Sequence, residues 1–187
     1  MHLMKKPLRL LTRREFAGQP LRQTGFTLIE VMVSTVVLAI GLLGLAGLQV
    51  ASLTANQSAF MRTQASVLGY DLADRMRANV QGATNGSYAA GTANYTAGCG
   101  TTTGCSPLQM AQNDLAEWNS VIATYLPLGQ GIVCTDSTPN DGSGITTPQC
   151  DGIGNQFAVK IWWDDDRDGI INMDPLNTER FVVSFQL

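Results

Sequence analysis

The sequence predicts an α+β fold: a long N-terminal helix, membrane-spanning in its first half, packed on a small antiparallel β-sheet head with a short second helix. Three features carry the prediction. Residues 31–48 hold 18 positions without a charge, enough to cross a bilayer as a helix. No proline occurs between Pro20 and Pro107, and a helical apolar period continues past the uncharged run. Two segments near the C-terminus alternate with period two, the pattern of strands that bury one face.

Residues 1–25 are basic: Lys5, Lys6, Arg9, Arg13, Arg14 and Arg22 stand against Glu15. The positive-inside rule keeps this end in the cytoplasm, so the chain beyond residue 50 lies across the membrane. This leader has no apolar core of its own, and no A-x-A-like site follows the apolar run, so it does not fit a conventional secretory signal. Met1 and Met4 both stand as starts, since MKKPLRL also begins like a leader. Glu30 is the oddity of the span. A carboxylate within hydrocarbon costs about 2.5–3.5 kcal/mol on insertion scales. Either it stays hydrated at the cytoplasmic interface, or it awaits a cationic partner in an assembly.

Gly25-Phe26-Thr27-Leu28-Ile29-Glu30 resembles the class III signal of type IV pilins and type II secretion pseudopilins. The resemblance implies that a prepilin peptidase cuts between Gly25 and Phe26 and methylates the new amine of Phe26. Glu30 then neutralises the terminal amine of a neighbouring subunit during assembly. EVMVSTVVLAIGLLGLAGLQ, and QMAQNDLAEWNSVIATYLP with its Asp114, Leu115 and Trp118, look like PilV-type minor pilins in particular. The resemblance implies a type IV pilin-like fold. It divides the chain into a leader (1–25), a transmembrane and filament-core half-helix (26–49), an amphipathic half-helix (50–80) and a globular head (81–187). The partners it implies are prepilin peptidase, other minor pilins, the major pilin, the pilus assembly platform and a tip adhesin. The implied location is the inner membrane with the head in the periplasm, then the tip of an extracellular pilus.

Composition narrows the function. The leader carries six of the 12 basic residues and one of the 15 acidic ones, so the remainder has a formal charge of −8. Such a surface repels phosphate backbones, and no nucleic-acid partner is expected. The four cysteines, Cys99, Cys105, Cys134 and Cys150, all lie beyond the span. Four cysteines allow three pairings, and free thiols are the alternative. Local pairing, Cys99–Cys105 and Cys134–Cys150, is expected because each bond would close a Gly/Thr-rich loop with little core to hold it. Both spacings are too wide for a zinc knuckle.

Past the span, Leu53, Phe60, Val67, Leu68, Leu72, Met76 and Val80 read as one apolar stripe, extending the helix from residue 26 to residue 79. At 1.5 Å per residue it would be roughly 80 Å long. Gly41, Gly44 and Gly47 either permit close helix approach or add flexibility. Residues 81–104 are rich in Gly, Ala, Thr and Asn and read as a loop. Ser106, Pro107 and Gln109 form a capping-box start. Ala111, Leu115, Trp118, Ile122 and Tyr125 then outline a short helix with one buried face, Trp118 being a core residue. Residues 131–134 form a short strand. Phe157, Val159, Ile161 and Trp163, then Phe181, Val183, Phe185 and Leu187, form an antiparallel pair. Residues 135–155 are the connecting loop.

Residues 164–171 contain D-x-D-x-D-G-x-I. Calcium loops use alternate carboxylates that converge across a glycine turn, with an apolar anchor such as Ile171. Here the ligands would be Asp164, Asp166 and Asp168, with Asp174 standing in for the closing acid because Pro175 occupies its position. A solvated acidic turn is the alternative, and no other cofactor is expected. The leading function is a minor pilin that initiates or primes pilus assembly, with roles in twitching motility and adhesion. A minor pseudopilin and an adhesive, ligand-binding tip subunit are the alternatives. An enzyme is not expected: the only histidine is His2, in the leader, and no Gly-rich phosphate loop occurs.

Overall fold

The computed structural model describes residues 25–89, 93–171 and 180–187. The chain divides into two compact units, Met1–Gly47 and Leu48–Leu187. Helix α1, Leu28–Ala78, belongs to both.

In the first unit every described residue is exposed. Thr27 starts the helix: its hydroxyl oxygen accepts from the Glu30 N–H at 3.3 Å, and its carbonyl accepts from Glu30 and Val31. That satisfies donors which the first turn otherwise leaves open. Leucine and alanine between the glycines supply the helix propensity that Gly41, Gly44 and Gly47 lack.

The second unit is built on the later turns of α1. Met61, Ala65, Leu68, Leu72 and Met76 are buried there at steps of three and four, with Gly69 and Ala73 widening the same arc, a core-facing stripe. The predicted stripe needs correction. Leu53, Phe60, Val67 and Val80 are 69, 58, 57 and 49% exposed. Val67 lies about 100° from Leu68 on the side away from Gly69 and Ala73, which places it outside the buried arc. The true stripe runs through Ala65 and Ala73, whose small side chains give little periodic signal.

Asn79 ends α1 and starts α2, Val80–Thr84. Its N–H closes the last turn of α1 onto Arg75, while its side-chain oxygen accepts from the Gly82 N–H at 3.2 Å. The stretch expected to be loop from residue 81 thus begins as helix. Asn79 Nδ2 also donates to the Pro107 carbonyl at 2.8 Å. A Cβ on Gly82 would lie 2.5 Å from that nitrogen and 2.7 Å from that carbonyl oxygen, so the turn requires glycine.

Helix α3, Pro107–Tyr125, starts with the capping box at Ser106 and Gln109. Ala111, Leu115, Trp118 and Ile122 are buried. Tyr125, expected on that face, is 56% exposed, and Leu126 beyond the helix end is buried in its stead. The extended backbone of Leu126 turns its side chain inward where a further helical turn would not.

Strands β1 (Gln130–Thr135), β2 (Phe157–Trp162) and β3 (Arg180–Phe185) form one antiparallel sheet in the order β1-β2-β3. Val133, Val159 and Val183 stand in register across it. The predicted β2–β3 pair is present. However, β2 is not a one-faced strand: Ala158, Lys160 and Trp162 are as buried as Val159 and Ile161. Leu187 lies past β3 and is 42% exposed. Val133, Val159, Ile161 and Val183 meet Leu68, Leu72, Leu115 and Trp118 in one core.

Candidate functional site

The first candidate is the start of α1. Gly25 and Phe26 precede the helix, and Phe26 is 82% exposed. Glu30 is the one acid of the first turn, where the helix dipole favours negative charge. Behind it, α1 is long and apolar enough to cross a membrane, and the qualifying window has mean hydropathy 2.4 with none of it buried. Bare valine and leucine surface of this extent is found where lipid or other helices cover it.

The second feature is how α3 is tied to α1. Trp118 donates its indole N–H to the Leu68 carbonyl at 2.8 Å, with both groups buried. Its ring lies against Gly131 of β1, where a Cβ would collide with it. Arg75 bridges the helices, reaching Asp71 and Glu117 at 2.9 Å and Asp114 at 3.3 Å. Burial works against the Arg75 charge, but its bonds to Glu117 and Asp71 outweigh that and raise its pKa. The Arg75 hydrogen bond, seconded by Asn113, holds the Glu117 carboxyl below its ordinary range. Tyr88 donates to Asp114 at 2.5 Å, and burial followed by that bond pushes the phenol pKa up. These groups make a structural network. The sequence signal for Trp118 is its apolar period; the Arg75 partners carry no such signal.

The third feature is the acidic loop. One oxygen each of Asp164, Asp166 and Asp168 lies within 4.8 Å of the others. Asp164 is buried, and its oxygens accept from the Arg167 N–H at 2.7 Å and the Gly169 N–H at 2.9 Å. Asp166 accepts from the Asp168 N–H and Asp168 from the Ile170 N–H, at 3.2 and 2.8 Å. Trp163 donates to Asp165 at 2.9 Å. With its amide oxygen turned outward, Gln57 of α1 accepts from the Arg167 guanidinium at 2.6 Å, seating the loop on the helix. Asp174 lies outside the described residues.

The fourth feature joins the two expected disulfide pairs to a buried lysine cluster that the sequence did not show. Cys99 is bonded to Cys105 and Cys134 to Cys150. The second bond ties the end of β1 to the far side of the loop that follows. Lys160, midway along β2 and fully buried, meets that loop: its Nζ lies 2.6 Å from Asp136 Oδ2 and 2.7 Å from Asp141 Oδ1. It donates to the Pro148 carbonyl at 2.8 Å and the Asp141 carbonyl at 3.2 Å. The Lys160 hydrogen bond holds the Asp141 carboxyl below its ordinary range. Arg180 of β3 secures the loop through the carbonyls of Asn140, at 2.9 Å, and Gly142. A lysine at an even position of F-A-V-K-I-W, next to a buried tryptophan, was the available signal that this face is covered.

Two family models match the chain. Residues 20–46 match the one described as the prokaryotic N-terminal methylation motif, and residues 47–116 the one described as Type IV pilin Tt1218. The first match contains Gly25, Phe26 and Glu30. The second contains the later turns of α1, the Cys99–Cys105 loop and the first half of α3, and the sheet lies outside both. No curated protein and no solved structure matches the chain.

Proposed function

Because this chain belongs to the type IV pilin superfamily, we propose that it acts as a minor pilin that helps initiate or prime assembly of a type IV pilus. The observation that carries this reading is the bare apolar helix with a single acid in its first turn. In the membrane, lipid covers the valine and leucine surface. In a filament, the helices of other pilins would cover it instead. The methylation motif implies processing by a prepilin peptidase and assembly with other pilins.

On this reading the peptidase cuts between Gly25 and Phe26 and methylates the amine of Phe26. Glu30, within about one helical turn of the new terminus, pairs with the terminal amine of an adjacent subunit. Pairing offsets the cost of holding a carboxylate in an apolar surround. The head faces the periplasm and then the outside of the cell, where the minor role places it near the pilus tip beside other minor pilins. The −8 charge outside the leader supports a protein contact surface rather than a nucleic-acid one.

The test is deletion of the gene in its host, with surface pili, twitching and type II secretion each measured, and the chain quantified in sheared filaments. A minor pilin is expected to be a trace component whose loss reduces piliation and twitching. A chain that makes up the bulk of the filament would be a major pilin. Normal pili with failed secretion would make it a pseudopilin. Gly25→Ala is expected to slow processing; normal mature-size protein would refute the cleavage site.

A further inference from the structure

Lys160 does more than the fold requires of it. A buried ion pair is often no more stabilising than apolar residues of the same volume, yet here an amine and two carboxylates meet under the sheet. The contact with Asp136 is also unusual. Asp136 Oδ2 is buried and lies 2.6 Å from Nζ, but it accepts no hydrogen bond. The N–H bonds of Lys160 are spent on Asp141 Oδ1 at 2.7 Å, the Pro148 carbonyl at 2.8 Å and the Asp141 carbonyl at 3.2 Å. Asp136 Oδ2 therefore touches the nitrogen in addition to its three hydrogen-bond acceptors. When the amine is neutral and keeps two of those bonds, its lone pair can turn toward the Asp136 carboxyl.

We propose that Lys160 and Asp136 form an intramolecular isopeptide bond, with Asp141 carrying the protons. Three observations support it. Lys160 and Asp136 are both 0% exposed and touch at 2.6 Å, so moving one proton along that contact gives the amine and the carboxylic acid that an amide condensation starts from. The carboxyl carbon is one bond from an oxygen already in contact with the nitrogen, and groups held about 3–3.5 Å apart are in near-attack range. Asp141 hydrogen-bonds the same nitrogen while its side chain is 33% exposed, so it joins the buried pair to solvent.

The step balances without oxidant or cofactor. Lys160 Nζ adds to Asp136 Cγ. The Asp141 carboxylate takes a proton from the nitrogen and returns it to the departing hydroxyl. The C–O bond breaks, water leaves, and an Nζ–Cγ amide remains with Asp141 regenerated. The product staples the loop to the middle of β2, as the Cys134–Cys150 bond staples it to β1, but it would survive reduction. The inference rests on the head alone and stands whether or not the pilin is a minor one.

The test uses the full chain, purified from membranes in detergent, reduced, alkylated and digested with trypsin. Unmodified Lys160 is cut, giving fragments 78–160 and 161–167. The crosslinked chain gives one fragment, 78–167, lighter by one water. Asp136→Asn is expected to give the identical crosslinked mass by losing ammonia instead, Asp136→Ala to give none, and Asp141→Ala to lower the crosslinked fraction at least tenfold. Complete cleavage after Lys160 in the wild-type protein would overturn the proposal, leaving an ion pair only. So would an uncut 78–167 fragment of full mass.

Discussion

Trp118 and Gly131 offer a test of how the head is held together. Trp118→Phe keeps an aromatic ring in the core but removes the indole N–H that donates to the Leu68 carbonyl at 2.8 Å. That carbonyl lies inside α1 and keeps its helical partner, so the loss is about one net hydrogen bond, 0.5–1.5 kcal/mol. The void left by the six-membered part of the indole adds roughly 1–2 kcal/mol. At about 2–4 °C per kcal/mol for a domain of this size, melting should fall by roughly 3–14 °C. Gly131→Ala alone should also destabilise, because its Cβ would strike the indole at Cη2 and, at 2.7 Å, at Cζ3. Phenylalanine lacks both atoms. The new methyl then enters the space that Trp118→Phe vacates, so the double variant should be more stable than the sum of the singles by about 0.5–3 kcal/mol. Circular dichroism melts of the four purified proteins in one detergent give the coupling directly. Additive losses, or a Trp118→Phe melt within 1 °C of wild type (a shift below roughly 0.5 kcal/mol), would refute the packing described.

Other outcomes follow from the same geometry. Glu30→Ala should insert into the membrane as wild type does but enter filaments at least about tenfold less, a loss of some 1.4 kcal/mol of pairing; fractionation and immunoblotting of sheared pili measure both, and normal incorporation removes the charge-pairing role. Acid should weaken the head. Glu117 and Asp141 have folded pKa values below their ordinary 4.5 and 3.8, so their contribution is complete above those values and is lost as pH falls through the depressed folded ones. Melting temperature should therefore be flat from neutral pH to about pH 5 and drop below about pH 4, and Glu117→Gln should shallow that drop. For the acidic loop, Asp164 already accepts two backbone N–H groups, so we expect millimolar calcium to leave the melting temperature unchanged. A calcium-dependent rise would establish a site at Asp164, Asp166 and Asp168.

The start of α1 was legible because its signals are local. A glycine, an aromatic residue and an acid in register before an uncharged run need no tertiary contact to be read. The capping box at Ser106 and the period of Ala111, Leu115, Trp118 and Ile122 are local in the same sense. The later stripe of α1 misled because large exposed residues outweigh alanine in a periodicity count. Phe60 and Val67 are conspicuous in the sequence, whereas Ala65 and Ala73 are what the core touches. The alternation of β2 showed one buried face but not what covers the other, since that cover comes from residues 136–155, a loop with no period of its own.

By itself, then, the sequence determined the long apolar helix, its processing and charge motif, the second helix and the paired strands, since each rests on contacts within a few residues or on a fixed period. Only the tertiary structure decided which turn of α1 enters the core, that Trp118 bonds the Leu68 carbonyl, and that Lys160 sits between Asp136 and Asp141. Those pairings join residues 19 to 50 positions apart. Partners that far apart are selected by the packing of the whole head, and no local pattern encodes the match.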